Sequence, residues 1–161
     1  MLSQKTKYAL RALLVLAEEG EGQMVQVADI AERQKVPKKF LELILLELKK
    51  HGLLHSQRGK NGGYALGKPA SAIFFGQIIR IMDGPIAPLP CASLTGYRRC
   101  SDCVDEATCP IRRIMRRVRD AMSEILDTTS IADALTPRGQ KARKLTGAPA
   151  LRGRRARALS A

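Results

Sequence analysis

The stretch "VADIAERQKVPKKFLELILLELKKHGLLHSQRGKNGGYALGK", residues 27–68, decides the fold of this 161-residue chain. Val27, Ile30 and Ala31 are spaced three and four apart, which predicts a short amphipathic helix that ends before "KVPKK". Pro37 suits the first turn of the next helix, where an amide would have no partner. The predicted inward positions of that helix are Phe40, Leu41, Ile44, Leu45 and Leu48. Two helices joined by a short turn form a helix-turn-helix candidate.

A basic β-hairpin is predicted directly after these helices. The loop "RGKNGG" separates two short runs, and we expect its glycines and Asn61 to supply positive φ angles. A helix-turn-helix followed by such a hairpin is the element order of a winged helix. Residues 4–18, with Ser3 as N-cap, and "IFFGQIIRIMDG" predict flanking helices.

A long helix is predicted after the last cysteine, in "PIRRIMRRVRDAMSEILD". Its apolar residues repeat at heptad spacing and form one stripe, and such a stripe must be buried against its own domain or a second copy. We predict a homodimer, because helix-turn-helix modules commonly work as symmetric pairs. The fold class is therefore mainly α: a winged helix-turn-helix DNA-binding domain with a long C-terminal dimerisation helix. The stripe comprises Ile111, Val118 and Ile125 at one position and Ile114 and Ala121 at another, with Met115 and Met122 beside them.

The chain divides into four predicted parts. Residues 1–84 form the winged helix-turn-helix domain, 85–109 a cysteine-rich cluster-binding loop, 110–136 the dimerisation helix with a short C-terminal element, and 137–161 a disordered basic tail. The tail contains eight Lys or Arg residues and no acid, so the other residues carry only +5 of the formal charge of +13. Positive charge of this kind attracts polyanions such as nucleic acid.

Several classes of protein are disfavoured by the sequence. "ALLVLA" near the N-terminus is interrupted by Arg11 and lacks a cleavage site, and no run is long enough to span a membrane. We therefore expect a cytoplasmic protein with no membrane partner. Nucleophile–base pairs, phosphate-binding glycine loops and dinucleotide fingerprints are absent, so we expect no enzymatic activity.

Candidate DNA-binding residues lie at two places in the winged helix. The start of a recognition helix normally reaches base edges in the major groove, and cations at a hairpin tip can hold phosphates or enter the minor groove. Lysine can donate to guanine or phosphate, and glutamate can accept from cytosine. The alternative interpretation is a solvated charged surface. The candidates are Lys38, Lys39 and Glu42 in the helix and Arg58, Gly59 and Lys60 in the wing.

The four cysteines are the strongest chemical signal. Eight residues separate Cys91 from Cys100, two separate Cys100 from Cys103, and five separate Cys103 from Cys109. A two-residue gap lets two thiolates converge on one metal, as in zinc and iron–sulfur sites. Cys109 also precedes a predicted helix, whose free amides favour a thiolate. We predict that these four cysteines bind an iron–sulfur cluster, with structural zinc or a thiol switch as alternatives.

These features together resemble the Rrf-two family of winged-helix regulators, which includes the iron–sulfur cluster regulator IscR, the nitric-oxide sensor NsrR and the iron regulator RirA. The matching stretches are "MLSQKTKYALRALLVLA", residues 27–68, and the cysteine segment leading into "IRRIMRRVRDAMSEIL". The resemblance implies a homodimer in which the helix after Cys109 crosses its counterpart. It also implies that Glu42 lies on the recognition helix and that Arg58 and Gly59 lie in the wing.

The same resemblance implies a cluster, because Cys91, Cys103 and Cys109 match the family's three cysteines; Cys100 is additional. Ligation by four cysteines, by three, or with Cys100 in place of Cys91 stays open, as does the choice between 2Fe-2S and 4Fe-4S. The predicted function is a transcriptional repressor whose affinity for a double-stranded operator responds to iron, redox or nitric oxide status. A cluster-free winged-helix regulator and a basic protein-binding accessory subunit are the alternatives.

Overall fold

The computed structural model describes residues 2–59 and 61–136; Met1, Lys60 and the predicted basic tail lie outside the described residues. Two short 3-10 helices, Ala70–Ala72 and Pro90–Ala92, accompany the longer elements. The predicted mainly helical winged-helix fold is confirmed. In chain order, the elements are α1 (Gln4–Glu19), α2 (Val27–Gln34), α3 (Lys38–Lys50), β1 (Leu54–Gln57), β2 (Gly63–Leu66), α4 (Phe75–Met82), α5 (Pro110–Thr128) and α6 (Ile131–Leu135).

Helix α1 is the centre of the packing and contacts α2, α3, α4, α6 and β2. Its predicted cap is confirmed, because the Ser3 side chain accepts a hydrogen bond from the Thr6 amide at 3.1 Å. Leu13 and Leu16 are fully buried. No helix in the described ranges is long and apolar enough to cross a membrane.

Helix α3 buries the predicted apolar stripe, with one exception. Leu41, Ile44, Leu45 and Leu48 are fully buried, whereas Phe40 is 36% exposed. The inward prediction for Phe40 was therefore wrong: at about 100° per residue, its position lies at the edge of the stripe. The ring instead meets Tyr8 of α1 edge to face, with centroids 5.9 Å apart.

The hairpin is confirmed as an antiparallel pair in which Leu54 lies opposite Leu66. Its loop is closed by a hydrogen bond from the Gly62 amide to the Gly59 carbonyl at 3.0 Å. Gly59 has a φ of 112°, while Asn61 does not adopt a positive φ, so that expectation for Asn61 was wrong. The glycine takes the left-handed conformation because it has no Cβ to clash there.

The wing is also joined to the start of α2. Val25 and Tyr64 exchange two backbone hydrogen bonds of 2.9 Å, which extend the sheet by one bridge. Gly63 makes this close approach possible, because a Cβ at this position would lie 2.3 Å from the Val25 carbonyl oxygen. The bridge places the wing relative to the helix-turn-helix.

Gly63→Ala is expected to lower the free energy of unfolding by about 1–3 kcal/mol, the usual cost of forcing extra atoms into packed structure. The physical cause is the clash with a backbone carbonyl, which cannot move without breaking the bridge. Urea denaturation followed by circular dichroism measures the change. Asn61→Ala in the same loop, where the side chain is exposed, is the matched control. Equal stability of the two variants would contradict the expectation.

Helix α5 is held at its C-terminal end by the rest of the domain. Arg80 of α4 forms two hydrogen bonds to Asp127, at 2.5 and 2.8 Å, and this interaction lowers the pKa of the Asp127 carboxyl. The chain then returns to the core, where the Ile131 amide donates to the Ile73 carbonyl at 2.9 Å. Ile131 is fully buried. The predicted short C-terminal element therefore packs on the DNA-binding domain.

Candidate nucleic-acid interface and cysteine loop

A groove of about 420 Å³ runs between α3, the start of α2 and the wing. Lys38 and Glu42 of α3 form one side, and Arg58 and Gly59 form part of the other. Lys39 is exposed on the outer surface of α3. The fold thus brings four of the six predicted DNA-binding residues to this groove, while Lys39 lies outside it and Lys60 lies outside the described residues.

Contacts across the groove hold its two sides together. Lys49 of α3 donates to the Ser56 hydroxyl of β1 at 2.6 Å.

The electrostatics of the groove are set by Tyr64 and by the start of α3. Burial, and then the nearby Glu42 carboxylate, raise the pKa of Tyr64, so its hydroxyl stays protonated and neutral at physiological pH. The start of α3 also offers a positive helix end beside Lys38, an arrangement that favours phosphate.

Both ends of the cysteine segment, Cys91 and Cys109, contact helix α5. Cys91 is buried within the 3-10 helix Pro90–Ala92, and its carbonyl accepts a hydrogen bond from Arg112 Nε at 2.9 Å. Cys109 is the N-cap of α5, and its Sγ accepts from the Arg112 amide at 3.5 Å. Arg112 therefore contacts the first and the last cysteine of the segment.

Arg119 makes a second connection between this loop and α5. It is only 5% exposed, and its Nη1 donates to the Ala92 carbonyl at 2.5 Å. Its charge is balanced by Asp120, to which Nε donates at 2.8 Å. A buried arginine without such partners would be costly. Helical periodicity gave no indication that Arg119 is buried. In the sequence it lies among other arginines, which are typical of a solvent-exposed side of a helix.

The four thiols interact with one another. A hydrogen bond with Cys91 raises the pKa of the Cys100 thiol, and burial adds to the effect. Burial, and then the proximity of Cys109, raise the pKa of Cys103. The protonated thiol is therefore favoured at Cys100 and Cys103, and metal binding there would have to displace those protons.

The donor chemistry of the loop fits an iron–sulfur cluster, since soft thiolates are the ligands that such clusters use. All four cysteines are free thiols. Within residues 2–59 and 61–136, no group of three His, Cys, Asp or Glu side chains is already arranged to hold a metal ion. Residues 93–109 contain no helix or strand, so the loop can adjust without unfolding an element.

The predicted apolar stripe of α5 remains open to solvent in the single chain. Its residues are more than a third exposed except Met115, which is partly buried, whereas Arg119 is the one residue of this helix that is buried. Contiguous apolar surface of this kind marks an interaction site. The exposed large side chains of the stripe are Ile111 (61%), Ile114 (43%), Val118 (38%), Met122 (39%) and Ile125 (54%).

The helix-turn-helix, the wing and the protruding helix define the class of winged-helix DNA-binding proteins. Residues 2–137 match the Rrf2 family, described as "Iron-dependent Transcriptional regulator". An rrf2-like HTH-type regulator of Rhodobacter capsulatus is 44% identical over 148 residues, which cover 90% of this chain and 98% of the relative. The chain therefore belongs to the Rrf2 family of transcriptional regulators, and the predicted family is confirmed.

Solved structures agree with this assignment. CymR, the global cysteine regulator of B. subtilis, superposes with a TM-score of 0.69 at 32% identity, covering 83% of this chain and 95% of CymR. IscR of T. potens has a TM-score of 0.62 at 29% identity and covers 91% of this chain and 93% of its own. Members of the family are transcriptional regulators that bind DNA, and are not enzymes, as the sequence predicted.

Proposed function

We propose that this chain is a homodimeric repressor whose affinity for a double-stranded operator is set by an iron–sulfur cluster held by the cysteine loop. The observation that carries the proposal is the attachment of both ends of that loop to α5, through Arg112 and the Cys109 cap. The same helix presents the exposed apolar stripe that fits a second copy. A change in the loop would thus act on the element that spaces two DNA-binding domains.

On the DNA side, the groove residues have separate roles. Glu42 on α3 would contact base edges in the major groove, whereas Lys38 at the helix start and Arg58 in the wing would contact phosphates, as would Lys39 on the outer surface of α3. Gly59 lets the backbone turn at the wing tip, with a φ of 112°. Lys60 would add a cation beside it.

On the sensing side, Cys91, Cys100, Cys103 and Cys109 would hold the cluster. When bound, such a cluster supplies an iron centre that oxygen, nitric oxide or iron scarcity can oxidise, nitrosylate or remove. Arg112 would position Cys91 and Cys109, and Arg119 would keep the start of the loop against α5. The cluster controls DNA binding only if the two states of the loop differ in their fit to the operator.

A second candidate is a cluster-free regulator that senses thiol oxidation. The proximity of the Cys91 and Cys100 thiols, which raises the pKa of Cys100, favours it, because neighbouring thiols are suited to disulfide formation. The similarity to CymR, a cysteine regulator, is compatible with this alternative. Structural zinc on the same cysteines is a further possibility that metal analysis distinguishes.

The test is an operator-binding measurement under anaerobic conditions with the full-length protein and DNA from its own promoter region. We expect cluster-loaded and cluster-free protein to differ at least tenfold in affinity, which corresponds to a coupling free energy of about 1.4 kcal/mol. Equal affinity of the two preparations would contradict cluster control. A protein that lacks a chromophore and binds differently after reversible oxidation would establish the thiol mechanism instead.

Arg58→Ala is expected to weaken operator binding and to reduce the slope of log K against log salt by about 0.9 for each wing, because one phosphate contact is lost. Fluorescence anisotropy across a salt series measures both quantities. Lys68→Ala, at an exposed cation after β2 and outside the groove, is the matched control. If Arg58→Ala leaves the affinity and the slope unchanged, the wing makes no phosphate contact at that position.

A further inference from the structure

Helix α3 presents a mixed face on the side opposite its buried stripe. Leu43 is 65% exposed and Leu46 is 44% exposed. Lys39 and Lys50 are exposed on the same side. At about 100° per residue, these four positions fall within about 60° of one another around the helix axis. The surface that α3 turns away from the core is thus a pair of leucines flanked by two lysines.

A single exposed leucine is ordinary on a protein surface, but Leu43 and Leu46 lie side by side between two lysines and next to the groove. Leu46 lines the groove together with Glu42 and Arg58, and Leu43 lies one turn nearer the helix start. The flanking lysines would be desolvated at an apolar protein interface, which is unfavourable without acidic partners. Beside a duplex, the same lysines face phosphates, so the charge of the surroundings favours nucleic acid as the occupant.

We propose that Leu43 and Leu46 determine operator specificity by packing against the C5-methyl groups of thymines in the major groove. This inference rests on the proposed function, because it requires that α3 be the recognition helix. The thymine methyl is the apolar group that base edges offer in that groove. A cytosine at the same place would set its amino group against a leucine and lose a hydrogen bond to water, so these positions would favour thymine over cytosine.

The test starts from a random duplex pool, from which full-length protein selects enriched sequences. Each thymine of an enriched sequence is then replaced by deoxyuridine, which keeps the base pairing and the phosphates but lacks the methyl group. We expect one or two replacements per half-site to weaken wild-type binding about fourfold each, the factor for burying one methylene-sized group. Leu43→Ala and Leu46→Ala are expected to bind thymine and deoxyuridine versions of their contacted site equally.

Two controls isolate the methyl contact. Leu2→Ala makes the same change at a leucine that is 54% exposed before α1, and it should keep the wild-type preference for thymine. Lys50→Ala should weaken binding to both duplexes equally, because a phosphate contact does not sense the methyl group. Both leucines are exposed, so their truncation leaves the buried stripe of α3 intact, and equal thermal unfolding midpoints verify this.

The possible outcomes separate this inference from the proposed function. An enriched sequence whose thymine preference disappears in Leu43→Ala or Leu46→Ala supports it. An enriched sequence that wild-type protein binds equally well in its deoxyuridine form overturns it and leaves the regulator intact. A pool with no enriched sequence overturns sequence-specific binding, and with it both proposals.

Discussion

Full-length protein purified without oxygen is expected to contain iron and acid-labile sulfide, and Cys109→Ser is expected to lose most of both. The variant removes a thiolate at the junction of the loop and α5. Serine is itself a favourable N-cap, so α5 keeps a hydrogen-bond acceptor for the Arg112 amide. The loss would therefore report on ligation and not on unfolding of the helix. Metal analysis, sulfide assay and visible absorption provide the measurement.

Two neighbouring variants sharpen this experiment. Ala107→Ser introduces the same side chain close by without removing a thiol, and we expect it to retain the wild-type iron content. Cys100→Ser separates the ligand sets: retention of iron indicates ligation by Cys91, Cys103 and Cys109, and loss indicates that Cys100 is a ligand. A colourless wild-type protein with stoichiometric zinc would contradict the cluster and favour a structural metal.

Val118→Asp is expected to convert a dimer into a monomer. Val118 lies in the middle of the exposed apolar stripe of α5, where a two-fold axis would place the new carboxylate beside its counterpart. An unpaired buried charge costs about 3–5 kcal/mol. The dimer dissociation constant should therefore rise at least about a hundredfold, and operator affinity should fall because two half-sites are no longer bound together. Sedimentation equilibrium measures the first effect and anisotropy the second.

The matched control for that variant is Arg113→Asp. It places a new carboxylate on the same helix but on the charged side, where Arg113 is exposed and lines a cleft with Arg116 and Arg117. We expect it to remain dimeric. A wild-type protein that is monomeric at micromolar concentration, or a Val118→Asp variant that is still a dimer, would contradict the dimer interface proposed for α5.

Local sequence patterns predicted most of the fold. The helices follow from apolar spacing, the cap at Ser3 from its side chain, and the hairpin from a glycine-rich loop, and these signals act over a few residues. The errors occurred where a side chain's setting depends on distant parts of the chain. Phe40 has the right spacing for burial but lies at the edge of the stripe, beside Tyr8 of another helix. Asn61 can adopt a positive φ, but Gly59 makes that turn in the folded loop.

In the candidate site, too, local sequence signals predicted the residue types, and tertiary packing decided how they are connected. The four cysteines, the groove cations and the stripe of α5 were predicted as candidates from the sequence alone, because residue type and spacing carry their chemistry. Their connection was a product of folding: Arg112 reaches Cys91 across 21 positions, and Arg119 reaches Ala92 across 27. The exposure of Leu43 and Leu46 likewise depends on which side of α3 the core covers. Short-range periodicity describes one helix or strand at a time, whereas burial and charge pairing depend on how these elements pack. In this protein, that packing joins the cysteine loop to α5, the helix that carries the apolar stripe.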